Sequence, residues 1–190
     1  MRKPAVMKVG VTGHRTLHAT PALRQTIRRA LTMACAFAPD EHTPIQLVSP
    51  LAEGADRLVA QECLRRARFH LKALLPMSPR LYRQDFATAS SRRQFDRLLD
   101  RARSQVIVGA ASRRRAYVRV GQTLVRECDL LLALWDGQAA RGPGGTGDMV
   151  RYARRKGKPL LWIHTSPPHG IIAERLPHSV RGTAATARHL

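Results

Sequence analysis

The sequence predicts an α/β protein with a Rossmann-like, doubly wound and mostly parallel sheet in three α/β/α layers. Three observations carry that expectation. Short apolar runs alternate with segments of helical period along most of the 190 residues, the pattern of successive right-handed βαβ units. The run Leu130–Trp135 is apolar throughout, as strands covered on both faces are. Loops containing Gly13, Gly54 and Gly145 each follow a predicted strand or lead into a predicted helix, where a parallel sheet gathers its ligand-facing loops.

The elements follow in order. Residues 6–11 form a short apolar strand that runs into Thr12-Gly13-His14-Arg15, a tight turn. Between Pro21 and Phe37, apolar residues fall at Leu23, Ile27, Leu31, Ala34 and Phe37, the period of a helix with one buried face. A second strand at 45–48 precedes Ser49-Pro50-Leu51-Ala52-Glu53-Gly54, and a second helix runs from about 55 to 67. Residues 69–75 form a third strand, closed by Pro76. Segment 77–90 reads as irregular with one helical turn, and Ser91 and Gln94 have capping-box spacing for a helix that starts there. A strand at 106–108, a helix at 117–127 and the strand Leu130–Trp135 come next. After Asp136-Gly137 and the glycine-rich loop 142–147, a helix extends to about 156, with Gly157 as its stop signal, and a last strand occupies 160–163. One domain is expected over 1–165, with 166–190 a poorly ordered basic tail.

Composition narrows the function classes. Hydrophobic residues make up 44% of the chain, which is normal for a globular domain, and no apolar run approaches the ~20 residues that span a bilayer. The N-terminal segment has no long apolar stretch and no small-residue cleavage site, so a cytoplasmic protein without membrane partners is expected. Cys35, Cys63 and Cys128 show no CxxC spacing, and the eight histidines show no metal-ligand spacing; no metal site is expected. The formal charge of +20 raises nucleic-acid binding, because clustered cations are the footprint of phosphate recognition. However, the arginines are spread over nearly every predicted helix, and aromatic residues are only 5%, which supplies no obvious stacking platform. Nucleic acid therefore ranks below a small nucleotide ligand.

Three loops carry candidate chemistry. In the first, Gly10, Thr12, Gly13, His14 and Arg15 combine close backbone approach, a hydroxyl and a guanidinium that can fork onto phosphate. The spacing is not GxGxxG, so the ordinary dinucleotide fingerprint is absent. In the second, Ser49, Glu53, Gly54, Asp56 and Arg57 open a helix. Acids there cap N–H groups and complement the helix dipole, or hold ribose hydroxyls; the expectation is a mixture, with Glu53 nearer the ligand and Asp56 more structural. In the third, Gly144, Gly145, Thr146 and Gly147 directly precede a helix, and glycines that expose N–H groups at a helix start make an anion nest. No Lys follows, so this is not a Walker A loop. Asp136 and Gly137 stand at the mouth of the most apolar strand, facing the same crevice or simply turning the chain.

Taken together, Val11-Thr12-Gly13-His14-Arg15, the segment from Ser49 to Arg57, and Trp135-Asp136-Gly137 followed by Gly144-Gly145-Thr146-Gly147 resemble the SLOG superfamily, which joins DprA-type DNA-processing proteins to Lonely Guy phosphoribohydrolases. The similarity spans about 6–163, and the chain resembles an uncharacterised bacterial branch with TGHR and SPLAEGADR segments, as does the stretch from Leu75-Pro76 to Tyr82 and Asp85-Phe86. The resemblance implies a Rossmann-like fold, a pocket for a nucleotide or nucleotide-derived ligand (an NAD derivative, a cyclic nucleotide or a nucleoside monophosphate), and a homodimer. Lonely Guy enzymes carry a catalytic glutamate in the helix after the glycine loop; here Val150 and Arg151 occupy the expected positions. A carboxylate is what stabilises an oxocarbenium-like ribosyl transition state, and Glu53 and Asp148 are the weak candidates to replace it. Binding or sensing is thus the leading expectation. N-glycosidic hydrolysis or transfer is the alternative, and DprA-like single-stranded DNA binding comes third.

Overall fold

A computed structural model of the chain describes residues 6–140, 142–177 and 180. Seven strands form one sheet: β1 (Met7–Gly13), β2 (Ile45–Ser49), β3 (Phe69–Leu75), β4 (Ala102–Ile107), β5 (Leu130–Trp135), β6 (Leu160–His164) and β7 (Ile171–Glu174). Their spatial order is β4-β3-β2-β1-β5-β6-β7. All neighbours are parallel except β6 and β7, which are antiparallel. The helices are α1 (Pro21–Phe37), α2 (Ala55–Cys63), the single turn α3 (Pro79–Tyr82), α4 (Ala89–Asp100), α5 (Arg113–Glu127) and α6 (Thr146–Arg155).

Alternation along β5 shows how the sheet is covered. Leu130, Leu132 and Leu134 pack into the core under α1 and α2, while Leu131, Ala133 and Trp135 pack into the core under α5 and α6. Every residue of this strand is buried, so the continuous apolar run is what a two-faced central strand requires. The predicted doubly wound α/β/α architecture is the observed one. No helix among the described residues is long and apolar enough to cross a membrane.

Local chemistry sets the helix starts. The Thr20 hydroxyl accepts the Leu23 N–H at 3.1 Å ahead of Pro21, a cap with proline at the first helical position. Helix α4 begins before the expected Ser91: the Thr88 hydroxyl accepts the Ser91 N–H at 3.0 Å, which frees the Ser91 and Gln94 side chains for other partners. Likewise α5 starts at Arg113, capped by Ser112, so one more turn precedes Tyr117 than helical period alone indicated.

The sheet continues past residue 165. Residues Ile171–Glu174 pair with β6 in the register Ile163↔Ile171 to Leu160↔Glu174. The Glu174 carboxylate accepts two bonds from the Arg154 guanidinium, at 2.6 and 3.0 Å. Backbone pairing, one forked ion pair and the packing of Ile171 and Ala173 against the core hold this strand, and an apolar alternation of only two residues is too short to read. Residues 178–179 and 181–190 of the expected tail lie outside the described residues.

Candidate functional site

The strand order reverses between β1 and β5. Strand β1 leads into α1 on one face of the sheet, and β5 leads into α6 on the other. At such a switch point the connections diverge and leave a crevice at the carboxyl ends of the strands.

One wall of the crevice is closely packed. A Cβ on Gly13 would stand 2.3 Å from Ala55 Cβ and 2.8 Å from the Leu134 carbonyl, so β1 meets both α2 and β5 at a point with no room for a side chain. Gly54 has φ +77° and lies against the carbonyls of His14 and Arg15, which an added Cβ would approach to 2.3 and 2.2 Å. The Ala55 N–H donates to the His14 carbonyl at 3.0 Å, locking the first loop onto the second. Below this contact Arg57 is buried. Its Nε donates to the Leu51 carbonyl at 3.0 Å, Nη1 donates to the Ser91 carbonyl and hydroxyl at 2.8 and 2.7 Å, and the guanidinium carbon lies 4.2 Å from the Phe86 ring centre. The Ser91 hydroxyl in turn donates to Glu53.

The opposite wall is the loop between β5 and α6. Gly144, at φ +78°, donates its N–H to Asp148 Oδ2 at 3.2 Å, and the Gly145 N–H reaches the Gly142 carbonyl at 3.1 Å. These two donors are therefore used within the loop. The N–H groups of Thr146 and Gly147, the first two residues of α6, have no hydrogen-bond partner among the described residues. They are the donors this helix start offers to a ligand.

Between the walls is a cavity of about 740 Å³, within the ~300–1,000 Å³ of small-molecule sites. Thr12, Gly13, His14, Arg15, Asp56, Gly144, Gly145, Thr146 and Gly147 from the predicted set line it. The others take different places. Gly10 packs beneath Leu124 and Cys128; the Ser49 hydroxyl is buried, accepting the Leu51 N–H at 3.0 Å. Glu53, Gly54 and Arg57 border a separate cavity behind the first loop. Asp136 accepts the Gln138 N–H at 3.0 Å and pairs with His14 Nε2 at 3.0 Å, with Gly137 in the turn beyond it at φ +83°. Burial alone would raise the Asp136 carboxyl, but the bonds from Gln138 and His14 outweigh it and hold the group below the usual carboxylate range.

The acids are arranged opposite to expectation. Glu53 is outside the cavity, and Asp148 is engaged with Gly144 and with Arg151 Nη2 at 2.5 Å. Among the described residues, Asp56 is the one carboxyl that lines the cavity, although it is only 5% exposed. Its Oδ2 accepts the Ala52 N–H at 3.1 Å. Burial, the largest influence, pushes this carboxyl up to about 7 against the opposing pull of the Ala52 N–H and the Arg15 and Arg57 charges.

The candidate set left out Tyr82, Arg113, Arg114, Tyr117, Gly121 and Met149, which are also among the lining residues. Arg15 lies 5.0 Å from the Tyr117 ring centre, and Tyr117 donates to Asp85, which also pairs with Arg113. One signal was present. Gly121 interrupts a helix interior, at a cost of about 1 kcal/mol, and a Cβ there would stand 2.4 Å from Met149 Sδ. No group of three or more potential metal-ligating side chains occurs among the described residues.

Fold and cavity position define a Rossmann-like α/β domain with a ligand-sized crevice at its switch point. No protein-family model and no curated protein matches the chain. Among solved structures, the molybdenum cofactor binding protein from the phototrophic bacterium Rippkaea orientalis is similar at a TM-score of 0.51 and 15% identity, over 86% of this chain and 80% of that one. TM1055, a structural genomics target, has a TM-score of 0.46 and 18% identity, over 82% of this chain and 72% of that one. At these identities the first likeness supports the fold and nothing finer.

Proposed function

We propose that this chain binds a nucleotide or nucleotide-derived ligand in the cavity between β1 and β5, as a binding or sensing domain of SLOG type. The observation that carries the reading is the convergence on one cavity of the N–H groups of Thr146 and Gly147, which have no partner among the described residues, the Arg15 guanidinium, and an apolar wall from Val120, Leu124 and Met149. Backbone donors and a guanidinium suit phosphate; the apolar wall suits a base. The first and third motifs that resemble SLOG form the two sides of this cavity. Catalysis is not part of the proposal, because Glu53 and Asp148 stand outside the cavity and α6, the helix after the glycine loop, carries no glutamate. A homodimer is part of it, and sedimentation equilibrium tests that separately.

Thermal unfolding with adenine nucleotides and NAD derivatives tests the binding. A ligand at one hundred times its Kd adds about 2.7 kcal/mol, several degrees in Tm for a domain of this size. The shift is expected to vanish in Arg15→Ala, and a broad nucleotide panel without any shift contradicts the reading.

A second reading, binding of a nucleic-acid strand, draws on α5. Arg115, Arg119, Gln122 and Arg126 share one groove on its outer side, and Arg114 and Pro143 line both that groove and the cavity. A salt titration separates a built site from diffuse charge: affinity that persists above physiological salt favours this reading.

A further inference from the structure

Asp56 stands apart from every other acid in the fold. Glu62 is equally buried but accepts from Arg24 and Arg28, each at 2.8 Å. Asp56 has a single bond, at Oδ2, and its Oδ1 has no hydrogen-bond partner among the described residues although the residue lines the cavity. The Tyr82 hydroxyl on the same wall is likewise without a partner among those residues.

The charged and titratable groups that act on Asp56 are few. Arg15 reaches it from the β1–α1 loop and Arg57 from α2, while Tyr82 approaches from α3. Neither arginine forms an ion pair with it within 4.0 Å among the described residues. A carboxyl largely withdrawn from water without such a partner holds its proton to higher pH than an exposed one, since burial penalises the charged form. The proton belongs on Oδ1, because the Ala52 N–H requires Oδ2 to remain an acceptor.

Strands β2 and β5 are separated by β1, so their carboxyl ends lie two strand spacings apart, about 10 Å. Asp56 follows β2, whereas the free N–H groups of α6 follow β5. A ligand with its phosphate on α6 presents its sugar or base, not its anion, to Asp56.

We infer that Asp56 donates its Oδ1 proton in a hydrogen bond to a neutral acceptor on the ligand, a base nitrogen or a sugar oxygen, so that ligand binding is coupled to proton uptake at this residue. The inference rests on the nucleotide reading and deepens it. An ionised Asp56 offers the ligand no donor and adds a negative charge to the cavity of an anionic ligand. Affinity is then highest below about pH 7, the value to which burial brings the group, and falls above it.

The test is calorimetric titration with cyclic AMP and with NAD, whose phosphodiester and pyrophosphate groups stay ionised between about pH 6 and 8.5. In the wild-type protein Kd is expected to weaken roughly tenfold to thirtyfold across that range, approaching one proton per site. Asp56→Asn, whose amide keeps a donor on an isosteric side chain, is expected to bind with a Kd constant within about twofold. Asp56→Ala is expected to bind weakly and without pH dependence. Loss of the slope with a 2′-deoxy analogue assigns the acceptor to the sugar, and loss with a deaza analogue assigns it to the base; a slope that survives all such analogues overturns the inference. So does a flat wild-type profile, or a slope retained in Asp56→Asn, which places the proton on another group such as His14. If neither probe binds at any pH, the nucleotide reading itself fails and takes the inference with it, whereas binding without a slope removes the inference alone.

Discussion

The two walls of the cavity are built from the same kind of residue to opposite ends. On the β1–β2 wall, glycines let backbone meet backbone: Gly13 and Gly54 leave no space for a methyl group, and the His14 carbonyl is bonded to Ala55. On the β5–α6 wall the crowding is local. A Cβ on Gly147 would come within 2.9 Å of the Ala140 nitrogen and the Gln138 carbonyl, whereas Gly142 has open space around it. The helix that follows begins with two N–H donors that have no partner among the described residues. The first wall is closed by the fold at both glycines; the second is closed at Gly147 and left open at Gly142 and at the two helix-start donors. Glycine in a loop is therefore no measure of a binding site until its surroundings are known.

Four changes can break or sharpen this contrast. The largest effect is expected at Gly54→Ala, which forces a side chain into a conformation suited to glycine and against two carbonyls. A loss of about 4 kcal/mol in denaturant unfolding is expected, and a loss under 1 kcal/mol contradicts the interlocked wall. Next is Asp56→Asn. The wild-type carboxyl titrates at about 7 when folded and at about 3.9 when unfolded. The folded state therefore holds the extra proton between these values, and wild-type stability falls as pH rises from about 4 to 7. Full linkage gives at most about 4 kcal/mol. Asp56→Asn is expected to escape that loss, and so to gain on wild type in unfolding measured at pH 8 relative to pH 4. Gly144→Ala, on the open wall but at positive φ, is expected to cost about 1–2 kcal/mol. Gly142→Ala is expected to stay within about 0.5 kcal/mol of wild type, with the same unfolding assay as the check.

The contrast also explains what could be read in advance. Strand β5 was legible because both its faces are covered, and α1 because one face is buried over 17 residues. Strand β7 was not, since Ile171–Glu174 is held largely by pairing with β6 and by Arg154, and the two residues that pack on the core, Ile171 and Ala173, make too short an alternation to read. At the site, the loops that follow β1 and β5 were legible from glycine and residue type. The division of labour between Glu53 and Asp56 was not, because it depends on where Ser91 lies in space. Thr88, rather than Ser91, caps α4, and the freed Ser91 hydroxyl holds Glu53 away from the cavity while Asp56 lines it. Tyr82 lies in the stretch from Leu75-Pro76 to Asp85-Phe86, which also resembles the branch with TGHR and SPLAEGADR segments, but its place in the cavity, like that of Tyr117, follows from the sheet order, which residue type does not encode.

The central claim, that the start of α6 receives the phosphate of a nucleotide, is tested most directly at Thr146. Proline is accommodated at the first position of a helix, and Gly145 before it is already extended at φ −67°, ψ 170°, as a residue preceding proline prefers. Thr146→Pro thus deletes one unpartnered N–H while leaving the helix in place, and Thr146→Ala removes the hydroxyl alone as a control. By calorimetric titration with an adenine nucleotide, the account predicts a loss of about tenfold or more in affinity for Thr146→Pro beyond that of Thr146→Ala, with unchanged thermal stability of the free protein. Equal affinities in the two variants would contradict it.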